Sequence, residues 1–311
     1  MTAPARRGFK TADGTHQGAF GPVEWGLLGA NSLIWGSSFL WIKIGLDVLH
    51  PAAIAFLRLS LGAAALSFVP SARKPVSRDA LPIIAAIGVA GSLAPALLFA
   101  FAEQRIESSV AGMVQSTGPL FILGVSIAMA RKTPGRIQMI GLFIGFIGGA
   151  LLAFPNVTGA DAEPLGVLLV LLAVGCYAIS SNITPPLVHE FGGTAVIVRA
   201  LWISTALLLP YGIYGLLNSG FSWIAVLAML ILGIFGTGIA RTFFAILASR
   251  AGAPRASLVS YFVPVVAVVL GVVFRDETVT AIELAGLALI LSSAWFVSRA
   301  QRESVAVRSG S

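Results

Sequence analysis

The chain has 311 residues, of which 57% are hydrophobic and only 11% are charged. A soluble globular domain carries roughly twice that charged fraction, so the composition excludes an ordinary water-soluble protein and indicates one that is solvated by lipid. The net charge of +7 does not indicate a nucleic-acid partner, because the basic residues are distributed over short loops. Cys176 is the only cysteine, which excludes an internal disulfide and a cysteine-based metal cluster.

Apolar stretches of membrane-spanning length follow one another along almost the whole chain. Residues 1–24 form a polar tail with no apolar core or cleavage site, so we expect no cleaved signal peptide. Each later stretch is long enough to cross a bilayer core of about 30 Å, and in hydrocarbon it has to be helical to satisfy its own backbone. The ten predicted spans are Trp25–Leu46, Ala52–Pro70, Leu81–Ala102, Ser109–Ala130, Ile137–Phe154, Leu165–Val188, Thr194–Leu217, Trp223–Ala248, Ala256–Phe274 and Ile282–Ser298.

Basic residues fall mainly on one side of this arrangement. If the N-terminus is cytoplasmic, the tails and cytoplasmic loops hold fourteen of the 20 Lys and Arg residues, whereas the opposite loops hold only Arg105 and Arg275. Positively charged loops stay in the cytoplasm, so this bias predicts an even number of spans with both termini cytoplasmic, including the C-terminal tail at 299–311.

The second half of the chain repeats the first. Residues 88–150 align without a gap on residues 233–295, and Gly91, Arg105 and Pro119 fall on Gly236, Arg250 and Pro264. Residues nearer the N-terminus fit an offset of 141, which pairs Arg58 with Arg199. Five spans in each half would insert the two copies in opposite orientations. We therefore predict an all-α membrane protein of two inverted five-helix repeats, 25–154 and 165–298, joined by an external linker at 155–164, around a central cavity.

Several short motifs give the chain a family resemblance. They are Trp35-Gly-Ser-Ser-Phe39 with Lys43, His50-Pro51 with Arg58, Pro119, Pro264 and the Gly-rich fifth and tenth spans. This pattern resembles the drug/metabolite transporter superfamily, in its ten-span EamA-type branch of bacterial metabolite exporters, including aromatic amino-acid exporters. The resemblance implies efflux of a small molecule across the bacterial inner membrane through a cavity between the two halves.

Prolines and polar side chains inside the spans are candidates for the transport site. A proline leaves the carbonyl four residues earlier without its helical donor, so Pro119 and Pro264 would free the carbonyls of Gln115 and Ser260. We predict Pro95, Pro119, Pro185 and Pro264 as hinge positions. Buried amides and hydroxyls need partners, which can be the substrate or neighbouring helices. The polar candidates for the cavity are Asn31, Ser38, Ser92, Gln115 and Asn182.

Aromatic residues and one arginine complete the predicted cavity. Trp35, Tyr177, Phe244 and Tyr261 fall at mid-depth in their spans, where they could contact an apolar substrate side chain or belong to the core. Arg241 lies near mid-span and has no counterpart in the repeat, so it is our candidate for binding a substrate carboxylate.

Two further features are predicted to serve the scaffold. Arg58 and Arg199 lie about two turns from a membrane face, which favours a snorkelling or structural role for both. Gly141, Gly145 and Gly149 form a ridge of small residues for close helix packing, within the bundle or between subunits. A monomer is compatible with the sequence, which leaves the oligomeric state open.

The sequence favours a carrier over other classes of membrane protein. No acidic residue lies in the middle of a predicted span, which argues against a cationic-drug antiporter and favours gradient-driven export. An intramembrane enzyme would need a nucleophile–base pair, a metal site or paired carboxylates at depth, so no enzyme activity, cofactor or metal is predicted. A channel would need a charged ring or a carbonyl filter. Amino acids with aromatic or apolar side chains are the expected substrates, and nucleosides or sugar derivatives remain an alternative.

Overall fold

The computed structural model describes residues 14–16, 18–106, 108–130, 135–157, 163–266 and 281–299. Within these ranges the chain is helical apart from short connections, and it contains no strand. Four helical segments are long and apolar enough to cross a membrane: Arg78–Ala102, Pro164–Phe191, Gly193–Leu217 and Trp223–Ala251. The chain is therefore a multi-pass helical protein of membrane-spanning composition. The span count of ten and the inversion of the repeats stay predictions.

The helices are α1 (Pro22–Leu46), α2 (Pro51–Ser67), α3 (Leu81–Gly88), α4 (Ala94–Ala102), α5 (Ser108–Gln115), α6 (Gly118–Ala130), α7 (Arg136–Val157), α8 (Pro164–Phe191), α9 (Gly193–Leu217), α10 (Trp223–Ile231), α11 (Ala240–Ala251), α12 (Ala253–Ala256), α13 (259–266) and α14 (Ala281–Arg299). Gly192 separates α8 from α9 and Gly252 separates α11 from α12. Both glycines have positive φ, at 87° and 84°, which other residues rarely adopt.

Two helices widen into π-helical turns at matching places in the repeat. The first π-turn, Val89–Leu93, joins α3 to α4, and the second, Leu232–Ile239, joins α10 to α11. The sequence alignment places residues 89–93 on residues 234–238, inside the second π-turn. A π-turn disturbs the regular i to i−4 hydrogen bonds and is common at functional positions. Sequence periodicity predicted continuous helices here and did not indicate either turn.

The fourth predicted span is not a continuous helix, which corrects that part of the prediction, and the ninth begins a few residues later than predicted. The helix of the fourth span stops at Gln115 and restarts at Gly118, and the Thr117 hydroxyl donates to the Val114 carbonyl (2.7 Å) between them. Pro119 is thus the second residue of a new helix, where no backbone donor is needed. The helix of the ninth span begins after a turn at residues 257–258, and the part of this span beyond residue 266 lies outside the described residues.

Predicted repeat partners pack tightly against each other. Helix α2 packs along α9, and α7 packs along α14. A Cβ atom on Gly141 would lie 2.7 Å from Val297 Cγ2, and one on Gly145 would lie 2.5 Å from Ser293 Oγ. These approaches confirm that the glycine ridge of α7 is a packing surface within the bundle.

The segment before α1 is docked on the end of α11. The backbone N–H of His16 donates to the Arg250 carbonyl (2.7 Å), and Arg250 Nε donates to Glu24 Oε1 (2.6 Å). The Glu24 side chain also accepts from the Gly21 N–H (2.9 Å) and is only 1% exposed. The start of α1 and the end of α11 therefore lie at the same end of the bundle.

The glycine ridge makes a first prediction about stability. In Gly145→Ala the new methyl group would lie 2.3 Å from Tyr261 Cε2 and 2.5 Å from Ser293 Oγ. Tyr261 cannot retreat easily, because its hydroxyl donates to the Leu142 carbonyl in α7. We expect Gly145→Ala to cost about 1–3 kcal/mol and to lower the melting temperature in detergent.

Gly124→Ala is the matched control. Gly124 lies within α6 and its Cβ would meet no atom within 4 Å, so the alanine should be neutral or gain up to about 1 kcal/mol of helix propensity. Equal melting temperatures for the two variants would contradict the packing role of Gly145.

Candidate functional site

An aromatic cluster connects three helices in the interior. Trp35 of α1 stacks on Tyr177 of α8 with ring centroids 6.3 Å apart, and it lies 5.3 Å from the ring of Phe244 in α11. Trp35 Nε1 donates to the Gly236 carbonyl in the second π-turn (3.1 Å). That bond fixes the indole and satisfies its one polar group, as a buried tryptophan requires.

The first of two adjoining pockets lies beside this cluster. We call it the Arg241 pocket, and it has a volume of about 370 Å³. Its walls combine the aromatic cluster with an arginine, an amide, two hydroxyls and small or aliphatic residues. They are Trp35, Gln115, Gly118, Ile122, Val174, Tyr177, Ser181, Arg241, Phe244 and Ser260. The lining is mainly apolar with a few polar groups, as in small-molecule sites.

Arg241 is a buried cation with few partners. It is 8% exposed, and its Cζ lies 5.5 Å from the centroid of the Tyr177 ring. Its Nη2 is 3.5 Å from Ser180 Oγ, at the limit of a hydrogen bond, and its Nε has no hydrogen-bond partner in the described structure. Neither pocket includes an acidic residue among its lining residues. Since an uncompensated buried charge is costly, this guanidinium suits an anionic ligand.

The first π-turn makes room for the arginine. A Cβ atom on Gly91 would lie 2.1 Å from Arg241 Nη2 and 2.2 Å from Ser180 Oγ. Only glycine allows the guanidinium to lie against the backbone here. The repeat mate Gly236 has a related position in the second π-turn, where a Cβ atom would lie 2.9 Å from Ser38 Oγ.

The second pocket contains an arginine that sequence reasoning assigned elsewhere. This Arg58 pocket has a volume of about 330 Å³. It shares Trp35, Gln115 and Tyr177 with the first pocket, and its other lining residues are Ser38, Phe39, Ile42, Arg58 and Phe99. Arg58 is 7% exposed, and its Nε donates to Thr237 Oγ1 in the second π-turn (3.0 Å). Arg58 is therefore buried and does not snorkel, and its bond to Thr237 fits the structural role that was the other expectation. The signal that pointed to this site was an arginine inside a span.

Arg199, the repeat mate of Arg58, does have the predicted structural role. Its guanidinium donates to the carbonyls of Ala72, Lys74 and Ala195 at distances of 2.8–3.1 Å. These bonds tie α9 to the segment after α2.

Four predicted cavity residues lie outside both pockets. Asn182 donates to the carbonyls of Ile122 and Ala178, which joins α8 to α6, and the Tyr261 hydroxyl ties α13 to α7. Ser92 is 5% exposed within the first π-turn, and Asn31 is fully buried with neither amide atom hydrogen-bonded in the described structure. Asn182 and Tyr261 thus bind neighbouring helices, since the rotation of a helix decides which of its faces meets a cavity. Ser38 does line the Arg58 pocket.

The predicted hinge prolines occupy different local settings. Pro95 is the second residue of α4, directly after the first π-turn, and Pro119 is the second residue of α6. Pro185 lies inside α8, which continues through it. Pro264 lies in α13, one turn after Ser260, which lines the Arg241 pocket. Whether any of them bends during function stays a prediction.

The architecture and the pockets define a class: a helical membrane protein with interior pockets of mixed apolar and polar lining. The EamA-like transporter family matches residues 25–154 and 164–299. The chain therefore belongs to this family of transporters, and its two matched stretches cover the two sequence repeats.

Similar proteins are named as transporters and exporters. A probable terminal-alkyne amino-acid exporter of Streptantibioticus cattleyicolor is 26% identical over 85% of this chain and 90% of its own length. A probable amino-acid metabolite efflux pump of Salmonella typhimurium is 25% identical over 84% of this chain and 89% of its own length. The uncharacterized inner membrane transporter YedA of Escherichia coli is 29% identical over 86% of this chain and 87% of its own length.

A crystal structure of a protein shares the fold. It has a TM-score of 0.69 at 20% sequence identity and covers 92% of this chain and 98% of that chain. This likeness concerns the fold alone.

The Gly91 contact makes a second prediction. In Gly91→Ala the methyl group would displace the Arg241 guanidinium and the Ser180 hydroxyl. We expect the affinity for L-phenylalanine, an expected ligand, to fall about tenfold, as for the loss of one hydrogen bond to a charged group. Equilibrium binding to purified protein in detergent measures it. Gly26→Ala, where a Cβ meets nothing within 4 Å, is the control. Wild-type affinity in Gly91→Ala would show that this close approach is unimportant for binding.

Proposed function

We propose that the protein is a secondary transporter of the bacterial inner membrane that exports small amphipathic metabolites, chiefly amino acids with aromatic or apolar side chains. One observation carries the proposal: Arg241 is buried beside an aromatic cluster with no carboxylate partner in the described structure. Two relatives named as amino-acid exporters support the substrate class.

The Arg241 pocket suits the two ends of such a substrate. The guanidinium would bind the carboxylate, because its planar donors match a carboxylate in a low-dielectric site. The Gln115 amide and the backbone carbonyl of Ser260, freed by Pro264, would accept hydrogen bonds from the ammonium group. The rings of Trp35 and Phe244 would contact the apolar side chain.

Access would alternate by rocking of one half of the chain against the other. The tightly packed pairs α2–α9 and α7–α14 suit the role of scaffold around which the cavity helices move. We propose that both termini are cytoplasmic, as the distribution of basic residues predicts. We also propose that a substrate gradient drives export, since neither pocket is lined by a carboxylate that could carry protons.

The proposal predicts a loss of transport when Arg241 is neutralised. In proteoliposomes, Arg241→Gln should reduce counterflow of L-phenylalanine by about tenfold or more, because a charged hydrogen bond to the substrate is lost. Arg199→Gln is the matched control: it neutralises an arginine of the same repeat whose partners are backbone carbonyls, and it should transport at the wild-type rate. A panel of amino acids, nucleosides and sugars, with and without a pH gradient, tests the substrate class and the coupling.

Two outcomes would contradict the proposal. Counterflow of nucleosides or sugars without any amino acid would reject the substrate class. Wild-type counterflow in Arg241→Gln would remove this residue from the site.

A further inference from the structure

Arg58 is held in a way that differs from the structural arginine of the same fold. Arg199 uses its guanidinium on three backbone carbonyls. Arg58 Nε donates to a side-chain hydroxyl, Thr237 Oγ1 (3.0 Å), and not to a backbone carbonyl. Arg58 is itself one of the lining residues of the Arg58 pocket.

The Arg58 pocket adjoins the Arg241 pocket and offers similar chemistry. The two share Trp35, Gln115 and Tyr177, so one aromatic pair and one amide form part of both walls. Phe39 and Phe99 add a second aromatic surface, with ring centroids 5.8 Å apart. Each pocket thus combines one buried arginine with aromatic rings, and neither has an acidic residue among its lining residues.

The two arginines lie on successive levels of the cavity. Thr237, which holds Arg58, precedes Arg241 by four residues in the same helical segment, a rise of about 6 Å. Along α1, the shared Trp35 is followed by Ser38 and Ile42 on the Arg58 side, up to about 10 Å further along the helix. A ligand moving past Trp35 would therefore leave one guanidinium and approach the other.

We infer that the Arg58 pocket is a second carboxylate-binding subsite, which receives the carboxylate of the transported substrate after it leaves Arg241. This inference rests on the proposed function, and it adds a site and a residue to it.

The test compares ligands that differ only in the carboxylate. The probes are L-phenylalanine, its amide and 3-phenylpropionate, with binding measured by equilibrium dialysis on wild type, Arg58→Gln, Arg241→Gln and the double variant. We expect wild type to prefer both carboxylates over the amide. Each single variant should lose about tenfold in affinity for the carboxylates and keep part of the preference, and the double variant should lose the preference.

A further variant separates binding from folding. Thr237→Val removes the hydrogen bond that positions Arg58 while keeping the charge, so it should weaken carboxylate binding less than Arg58→Gln does. Melting temperatures of all variants identify a folding defect. If Arg58→Gln melts below wild type, the decision rests on a Thr237→Val protein that melts at the wild-type temperature. Weakened carboxylate binding in that variant supports the subsite, and wild-type binding contradicts it.

The outcomes are distinct for the subsite and for the proposed function. The subsite would be overturned if Arg58→Gln kept the full wild-type preference for carboxylates over the amide and Arg241→Gln alone abolished that preference. Displacement of 3-phenylpropionate from Arg58 by chloride at physiological concentration would also overturn it, by showing an inorganic-anion site. Binding of 3-phenylpropionate that depends on Arg58, without transport of any amino acid, would keep the subsite and reject the proposed function.

Discussion

The arrangement of the interior depends on one constraint: a guanidinium group is buried among apolar helices without a carboxylate to neutralise it. Such a charge is tolerated only where the surroundings supply dipoles, aromatic faces or a ligand. Arg241 has the face of Tyr177 and a long contact to Ser180, and Gly91 gives it space. The residual need for negative charge is the reason for proposing this region as the binding site.

The fold separates a rigid part from the part that forms the pockets. Glycines allow α7 and α14 to pack at backbone distance, and Gly212 and Gly215 of α9 do the same against α2. Close packing of this kind resists deformation. The pockets lie instead beside interrupted helices. Gln115 and Gly118, at the break between α5 and α6, line the Arg241 pocket, and the two π-turns contact its lining residues Arg241 and Trp35. Irregular backbone is tolerated at membrane depth where it lines a cavity, which accounts for this division.

Hydropathy and spacing predicted most helices, but they did not predict the orientation of each side chain. Trp35, Tyr177, Phe244, Gln115 and Arg241 were expected to lie together, and they all line the Arg241 pocket. When a helix is apolar on all of its faces, its sequence gives little indication of which face meets the cavity. Tyr261 and Asn182 were misplaced for this reason, since they bind neighbouring helices. The place of Arg58 in a pocket wall was not predicted, because its partner Thr237 is 179 residues away in the sequence.

The most direct test of the account is a cryo-EM structure of the protein with L-phenylalanine bound. The account predicts the substrate carboxylate within about 3 Å of the Arg241 guanidinium and its ring against Trp35 and Phe244. A ligand bound elsewhere, or a carboxylate of the chain itself paired with Arg241, would contradict it.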